Sequence, residues 1–307
     1  MDLGKNITDW TKSSFTGWLR DRETLKYFIS LIIIVVLATI AGNYLIYSLL
    51  YSAYSLGSPT ASIIISTMAN SIPILVVFVI LNSLAVYFIS YLVIARALKL
   101  RKKGSQKLSF MRLVKFFLLE LFIFISAFLS LFNLKFIAIL IAAILLFVIG
   151  AILATVTAHV TIGAVLILLG ILAWLLYLVV VVYNSVRLLL SNVAFVEKDI
   201  GIVAAAKESW KITQGNVSTV IIAWLVLIII SFIIGSISAI PATAYSIYYS
   251  GINVASDTTS SMATEIALTT DVGYMIAMIP AYVLSAFLSI ASWFYLVSIY
   301  NGLKKGK

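Results

Sequence analysis

The chain has 307 residues, of which 63% are apolar and only 10% are charged, and its mean hydropathy is +1.15. A soluble domain of ordinary composition carries about 25% charged residues, so this composition excludes one. The formal net charge of +10 is confined to short blocks between apolar runs. Runs of about 18 residues or more cross a bilayer core as helices, because lipid cannot satisfy backbone polar groups. We therefore predict an all-α, polytopic membrane helix bundle of about six transmembrane helices, arranged as three hairpins with interfacial amphipathic helices.

The charge pattern divides the chain into three parts. Residues 1–26 form a cytoplasmic amphipathic arm, residues 27–300 form the transmembrane domain, and residues 301–307 form a basic cytoplasmic tail. Three segments lie between spans of the transmembrane domain: a cytoplasmic basic loop at 99–115, a cytoplasmic amphipathic segment at 191–216 and an outer acidic loop at 241–273.

Five apolar stretches are clear spans, namely 27–50, 71–98, 161–190, 217–240 and 274–300. The stretch 116–158 is longer than one span needs and is interrupted at Asn133-Leu134-Lys135. It is compatible with one long broken helix, with a span plus a re-entrant hairpin, or with two full spans.

The placement of basic residues favours six spans over seven. With six spans and both termini in the cytoplasm, 20 of the 21 Lys and Arg residues lie on the cytoplasmic side and only Lys135 lies outside. This matches the positive-inside rule. A seventh span would separate the basic tail and residues 187–211 from the other basic blocks. We therefore expect a multi-pass protein of the cell membrane. The absence of Cys, the two Gln residues and the frequent Ile are typical of a thermophilic, archaeal source.

A loose threefold repeat accompanies the spans. An amphipathic segment precedes an apolar hairpin at 7–19, at 106–116 and at 202–212. Each segment is either an interfacial helix, anchored by Trp210 in the third copy, or an ordinary cytoplasmic linker. Pro73 and Pro280 lie near the outer starts of two spans, and interrupted helices in matching positions indicate a transport pathway.

Small-residue pairs in the later spans predict close helix packing. Ser231 and Gly235 are four residues apart in the fifth span, and Ser285 and Ser289 are four apart in the sixth. Small side chains at this spacing allow two backbones to approach.

One segment carries a family resemblance. Residues 183–216 contain Tyr-Asn-Ser-Val-Arg-Leu up to Leu188, then Val196-Glu197-Lys198-Asp199, then Ala205 and Ser209 in an Ala-x-x-x-Ser helix, and a Gln-Gly-Asn break. This pattern resembles the polytopic proteins that include the membrane domain of some glycerophosphodiester phosphodiesterases and the YciC-like proteins. The resemblance covers about the last two-thirds of the chain and implies a topology. It implies no catalytic residue, because the phosphodiesterase domain of the fused members has no counterpart here.

The sequence predicts neither an enzyme nor a cofactor or metal site. His159 is the single histidine, there is no cysteine, and neither a phosphate-binding loop nor a Gly-x-Ser-x-Gly elbow occurs. Three polar residues in apolar surroundings are candidates for an intramembrane or pathway role: Glu120, Arg187 and His159. Carboxylates at membrane depth are costly and often functional.

Each candidate also has a purely structural interpretation. Glu120 either lines a pathway or pairs with Lys115 or Arg112 near the interface. Arg187 either pairs with Glu197 or extends its guanidinium to the interface, and we expect the second. His159 is expected to be a polar interface residue.

A block of basic residues is the candidate contact for anionic lipid headgroups or for a polyanion. It comprises Arg96, Lys99, Arg101, Lys102, Lys103, Lys107, Arg112 and Lys115.

These features favour a transport or channel component of the cell envelope. A narrower version is the conduit of a DNA-uptake system, such as the membrane subunit of the crenarchaeal DNA-import system. The alternative is a non-catalytic membrane scaffold or lipid-organising protein. The expected partners are membrane lipids, other membrane subunits or a motor ATPase, and nucleic acid.

Overall fold

The computed structural model describes residues 3–54, 61–101, 103–104, 108–155, 160–254 and 271–305, and within these ranges all regular structure is helical. The elements are α1 (Leu3–Thr16), α2 (Arg22–Tyr54), α3 (Ala61–Leu100), α4 (Phe110–Phe128), a 3-10 helix (Leu134–Phe136), α5 (Ile137–Thr155), α6 (Val160–Leu188), α7 (Ser191–Glu197), α8 (Ile202–Thr213), α9 (Val217–Val254), α10 (Val272–Ala277) and α11 (Ile279–Lys305).

Six helical stretches of the described chain are long and apolar enough to cross a membrane. They are Arg22–Gly42, Ile72–Leu100, Leu134–Thr155, Val160–Glu197, Val217–Tyr249 and Val272–Lys304. Their large apolar side chains are widely exposed, as at Val179 with 65% and Phe232 with 74%. Side chains of this kind face lipid in a membrane protein, whereas the outer face of a soluble helix is polar. The all-α, six-span bundle predicted from the sequence is confirmed.

Of the stretch 116–158, the structure describes residues 116–155, which form the helices α4 and α5 with a break between Phe128 and Leu134. α4 packs beside the end of α6 and α7, where Arg112 binds the carbonyl oxygen of Phe195 at 2.6 Å. α5 packs on the earlier part of α6, where Leu140 contacts Tyr177. α5 therefore runs antiparallel to α6. α4 meets only the end of α6 and runs antiparallel to α7. α5 is a candidate span, and α4 is not.

This arrangement bears on the predicted position of Lys135. The third span begins at Leu134, so Lys135 lies in its first turn. Phe136 packs against Tyr177 and Val180, close to the Arg187 end of α6. The sequence placed Lys135 on the outer side and Arg187 on the cytoplasmic side, and these two predicted positions do not agree with their place in the hairpin. Lys135 lies at the same end of the α5–α6 pair as Arg187.

Several predicted segment boundaries also shift. α2 begins at Arg22, inside the predicted arm. The predicted loop 99–115 already contains the start of α4, and the segment 191–216 contains α7 and α8. The predicted outer loop at 241–273 is helical at its start, because α9 continues to Val254 through Pro241. Residues 255–270, with two of the three acids of that loop, lie outside the described residues.

The chain divides into two compact units. The first comprises residues 1–102 and 225–295, and the second comprises residues 103–224 and 296–307.

In the first unit, the amphipathic helix α1 is docked through aromatic residues. Trp18 is completely buried, and its ring lies 5.6 Å from the ring of Phe28 and 5.4 Å from the ring of Phe287. Trp10 is buried as well. Asp21 then caps α2, since its carboxylate accepts hydrogen bonds from the backbone N–H and the hydroxyl of Thr24 at 3.0 and 2.6 Å.

In the second unit, α5 and α6 approach backbone to backbone at three glycines. A Cβ atom added to Gly163 would lie 2.6 Å from the nitrogen of Ala154, and one added to Gly150 would lie 2.9 Å from the oxygen of Gly163. A Cβ atom at Gly170 would lie 3.0 Å from the nitrogen of Phe147. At Gly235, by contrast, where the sequence predicted close packing, nothing lies within 4 Å.

Candidate functional site

The polar side chains of the second unit gather where α4, α6, α7, α8 and the end of α11 meet. We call this set the polar junction and define it by Arg112, Glu120, Tyr177, Asn184, Arg187, Asn192, Glu197 and Lys304 with their hydrogen-bond partners. Its members lie at the ends of the helices, whereas α5 and most of α6 are apolar.

Arg187 fixes α8 to the end of α6. It is only 8% exposed, and its guanidinium donates to the carbonyl oxygen of Trp210 at 2.8 Å and to the hydroxyl of Tyr183 at 3.3 Å. The guanidinium carbon lies 3.8 Å from the centre of the Trp210 ring, which is a close cation–π contact. In the other direction, Ser209 donates to the carbonyl oxygen of Arg187 at 2.7 Å. A cation near the last carbonyls of α8 is also favoured by the helix dipole.

The suggested pairing of Arg187 with Glu197 is wrong. The carboxylate of Glu197 binds Lys304 at 2.8 and 3.1 Å and accepts a hydrogen bond from Tyr300 at 2.7 Å. This pairing attaches the basic end of the chain to α7. The expectation that the Arg187 guanidinium extends to the membrane interface stays a prediction.

Two polar groups of α6 hold the break between α4 and α5. Asn184 donates to the carbonyl oxygen of Ala127 at 3.3 Å and to the hydroxyl of Ser130 at 2.9 Å. Tyr177 donates to the carbonyl oxygen of Phe128. The last carbonyls of α4 have no partner within the helix, and an unpaired carbonyl in apolar surroundings is costly. Ser130 itself adopts a positive φ of 52°, which ends the helix.

Arg112 binds the last carbonyl oxygens of α7 in a similar way. Its guanidinium donates to the carbonyl oxygens of Phe195 and Lys198 at 2.6 and 2.7 Å and to the carboxylate of Asp199 at 2.8 Å. The guanidinium also lies over the ring of Phe195. A basic side chain that binds the last carbonyls of a helix satisfies groups that the helix leaves unpaired.

Glu120 contacts neither of the partners that the sequence suggested. Its carboxyl accepts a hydrogen bond from the side-chain amide of Asn192 at 2.5 Å. Burial raises the pKa of Glu120 above its ordinary value, although the bond from Asn192 opposes this shift. Glu120 thus links α4, which lies outside the six candidate spans, to α7 at the end of the fourth candidate span. His159, the third predicted candidate, lies outside the described residues.

The predicted basic block is not one surface, because its described arginines are used within the protein. Arg96 binds the carboxylate of Asp21 through two nitrogens, at 2.9 and 2.5 Å. This guanidinium holds the pKa of Asp21 well below its usual range. Arg101 donates to Ser13 at 3.2 Å, and Arg112 binds α7.

The described lysines of the block remain at the surface to different degrees. Lys99 and Lys115 are exposed and Lys103 is half-buried, while Lys102 and Lys107 lie outside the described residues. The candidates for headgroup or polyanion contact therefore reduce to lysines.

The chemistry of the junction is structural. Among the described residues, no group of three His, Asp or Glu side chains could hold a metal ion. The junction carboxylates are bound to an amide, a lysine or a tyrosine, and the arginines bind carbonyls. Such contacts fix helix ends in place.

A half-open groove of about 280 Å³ lies on the surface of the α5–α6 pair. It is formed by the small residues Ala143 and Gly170 and bounded by Phe147 and Trp174, and its wall is apolar.

Sequence reasoning missed Tyr177, Asn184 and Asn192. The signal was available for the first two, since they are seven residues apart in an apolar helix and thus share one face. Polar groups on one face of a span indicate a partner with unsatisfied groups. Asn192 gave no such signal, because it lies among the polar residues of a predicted linker.

No protein family matches the chain, and no curated protein or solved structure is significantly similar to it. The resemblance to the phosphodiesterase membrane domain and the YciC-like proteins therefore stays an expectation.

Proposed function

We propose that this multi-pass membrane protein is a non-conducting scaffold that organises lipid at the cytoplasmic face of the cell membrane. This proposal rests on the separation of apolar and polar contacts in the second unit. Its two spans α5 and α6 are in backbone contact at Gly150, Gly163 and Gly170, which leaves no room for a polar path between them. Its polar side chains instead tie helix ends together at the polar junction.

The contacts of Arg96, Arg112 and Arg187 support the same proposal. A surface that recognises a polyanion by guanidinium groups keeps them accessible. Here Arg96 binds Asp21, and Arg112 and Arg187 bind backbone carbonyls. The exposed lysines are compact charges that suit lipid headgroups at a membrane surface. The YciC-like resemblance implies a protein of this kind as well.

The scaffold proposal is tested by reconstituting the purified chain into liposomes and measuring the leakage of ions and small dyes. We expect leakage no faster than in liposomes with an inert membrane protein. Deletion of the gene should alter lipid composition or make the envelope leaky. Selective flux through the reconstituted protein would contradict the scaffold.

The second candidate function is a transport or channel component, with the conduit of a DNA-uptake system as its narrower version. Prolines in the spans of the first unit favour it. Pro73 lies inside α3, Pro241 lies inside α9, and a turn at Met278 separates α10 from α11 next to Pro280. The break at Met278 resembles the interrupted helices that form substrate sites in transporters, whereas α3 and α9 continue through their prolines.

One deletion experiment separates the two candidates. The gene is deleted in its native host, and DNA uptake and envelope integrity are scored in parallel. Loss of uptake with normal growth would favour the conduit, with nucleic acid and a motor ATPase as its partners. Intact uptake with an altered lipid composition would favour the scaffold.

A further inference from the structure

The outward face of α4 is apolar along its whole length. The helix buries Phe116, Leu119, Ser126 and Ala127. The opposite side carries an exposed row that we call the α4 stripe: Phe110, Met111, Leu118, Leu121, Phe124, Ile125 and, just beyond the helix, Leu129. From Leu118 onward these residues recur at helical spacing, and Phe110 and Met111 lie two turns earlier on the same half of the helix. Phe110 and Phe124 are 81% and 68% exposed.

This face fits neither water nor a membrane-spanning position. A helix that covers a soluble core turns polar residues outward. α4 has three charged residues, and two of them, Arg112 and Glu120, bind α7 and its end. Three charges within 19 residues also keep α4 out of the six candidate spans. The helix therefore combines an exposed apolar face with three charged residues, which is the composition of a helix that lies in the interface plane.

The charges beside the stripe have one sign. Lys115 is exposed on the same side of α4, and Lys135 is exposed just after the break that follows the helix. They are separated by roughly 20 Å of helix and turn, judged from a rise of about 1.5 Å per residue in α4. The one acid of α4, Glu120, is turned away toward Asn192. The nearby acid Asp199 is paired with Arg112. An apolar face flanked by two exposed lysines is complementary to a lipid with a negative headgroup.

We propose that α4 lies in the membrane–water interface, with the α4 stripe against the acyl chains of one leaflet and with Lys115 and Lys135 on anionic lipid headgroups. This inference rests on the proposed function and deepens it, because it names the surface and the lipid class. The stripe then enters the leaflet to a depth of about 5–10 Å below the headgroups.

The chain contains no cysteine, so single cysteines can carry a spin label in an otherwise unchanged protein. We choose Leu121→Cys and Phe124→Cys for the stripe. Leu172→Cys, at an exposed position in the middle of α6, serves as the reference for the membrane core. Lys207→Cys, on the exposed side of α8, serves as the reference for water. All four proteins are reconstituted in nanodiscs, and the accessibility of each label to oxygen and to a water-soluble nickel chelate is measured.

The expected result is an intermediate depth at both stripe positions. The labels at positions 121 and 124 should be more accessible to oxygen than the label at position 207. They should also be more accessible to the nickel chelate than the label at position 172. Nickel accessibility equal to that of position 207 would place the stripe in water and overturn the proposal. Labels that are immobilised and reached by neither reagent would show that a second protein surface covers the stripe, which would overturn it equally.

The lipid class is tested with spin-labelled anionic and zwitterionic lipids on the full chain. The double variant Lys115→Gln with Lys135→Gln should reduce the preference for the anionic lipid by up to about five-fold per lysine, which corresponds to about 1 kcal/mol each. Lys207→Gln removes one exposed positive charge outside the stripe and is the control. It should change the preference for the anionic lipid by less than two-fold. An unchanged preference in the double variant would refute the headgroup contact.

These measurements do not depend on conduction. If the protein conducts but the stripe lies at interfacial depth, the scaffold fails and the α4 proposal stands. If the protein does not conduct and the stripe lies in water, the scaffold stands and the α4 proposal fails.

Discussion

Substitution of Gly163 by alanine tests whether α5 and α6 form one closely packed hairpin. The added Cβ atom would lie 2.6 Å from the nitrogen of Ala154, 2.7 Å from its Cβ atom and 2.7 Å from the oxygen of Gly150. Two of these three atoms are backbone, so no side-chain rotation can relieve the contact. To reach an ordinary van der Waals distance, the helices must move apart by about 0.8 Å at this position.

The expected cost follows from the loss of contact along the hairpin. A gap of 0.5–1 Å forfeits a quarter to a half of the dispersion energy of each affected atom pair. Overpacking of this kind typically costs about 1–3 kcal/mol. The higher helix propensity of alanine returns up to about 1 kcal/mol in water. We therefore expect Gly163→Ala to lower the free energy of unfolding by about 1–2 kcal/mol.

The free energy of unfolding is measured in mixed micelles by titration with a denaturing detergent, followed by helix content. Gly235→Ala is the matched control, because it adds the same atom to a helix where nothing lies within 4 Å. It should be neutral or slightly stabilising. If Gly163→Ala is as stable as the control, the backbone contact between α5 and α6 does not exist as described.

Four further predictions follow from the site and the topology. Arg187→Lys keeps the charge but loses the stacking on Trp210 and the planar hydrogen-bonding fork, so it should cost about 1–3 kcal/mol and raise hydrogen exchange in α8. The pKa of Asp21 is lowered mainly by the hydrogen bonds from Arg96. Its ionised carboxylate therefore contributes fully to the free energy of unfolding above about pH 4, and this contribution is lost as the pH falls below that value. Asp21→Asn should remove this part of the acid sensitivity in a pH series of unfolding curves. The pKa of Glu120 is raised mainly by burial, so the free energy of unfolding falls as the pH rises above about 4.3. Glu120→Gln should therefore be more stable than the wild type at pH 7 in the same assay. Equal stability would refute the burial argument. Lys207 is the better labelling position in α8, because it is exposed and Ser209 is buried. Lys207→Cys should not react with an impermeant maleimide added outside intact cells, whereas a cysteine at residue 260 should react.

The sequence was sufficient for the spans because their signal is local. Each span is an apolar run, and the basic residues at its ends specify its side. The same reasoning located the interruption at Asn133-Leu134-Lys135 but could not say whether the chain crosses there. That answer depends on Tyr177 and Asn184, more than 40 residues away, which bind the last carbonyls of α4. A helix end and its distant partners form a non-local contact that hydropathy does not contain.

The side-chain pairings were less predictable for a related reason. Charge complementarity suggested carboxylates for the basic groups, and Arg96 does bind Asp21. For Arg112 and Arg187, however, backbone carbonyls of α7 and α8 are partners, and every residue has a carbonyl. Such partners leave no trace in a single sequence. The small-residue pattern likewise predicted a close approach at Gly235 but did not distinguish it from Gly163, because the outcome depends on which helix lies opposite.

The α5–α6 pair has a consequence for how the protein is made. No Lys, Arg, Asp or Glu occurs between Lys135 and Arg187, and four residues separate the end of α5 from the start of α6. The ribosome can therefore deliver both helices to the membrane as one preformed loop, without moving a charged segment across it. The three glycines allow the two helices to pair while α7 and α8 are still being synthesised. The polar junction closes only later, after Lys304 has been synthesised and can reach Glu197.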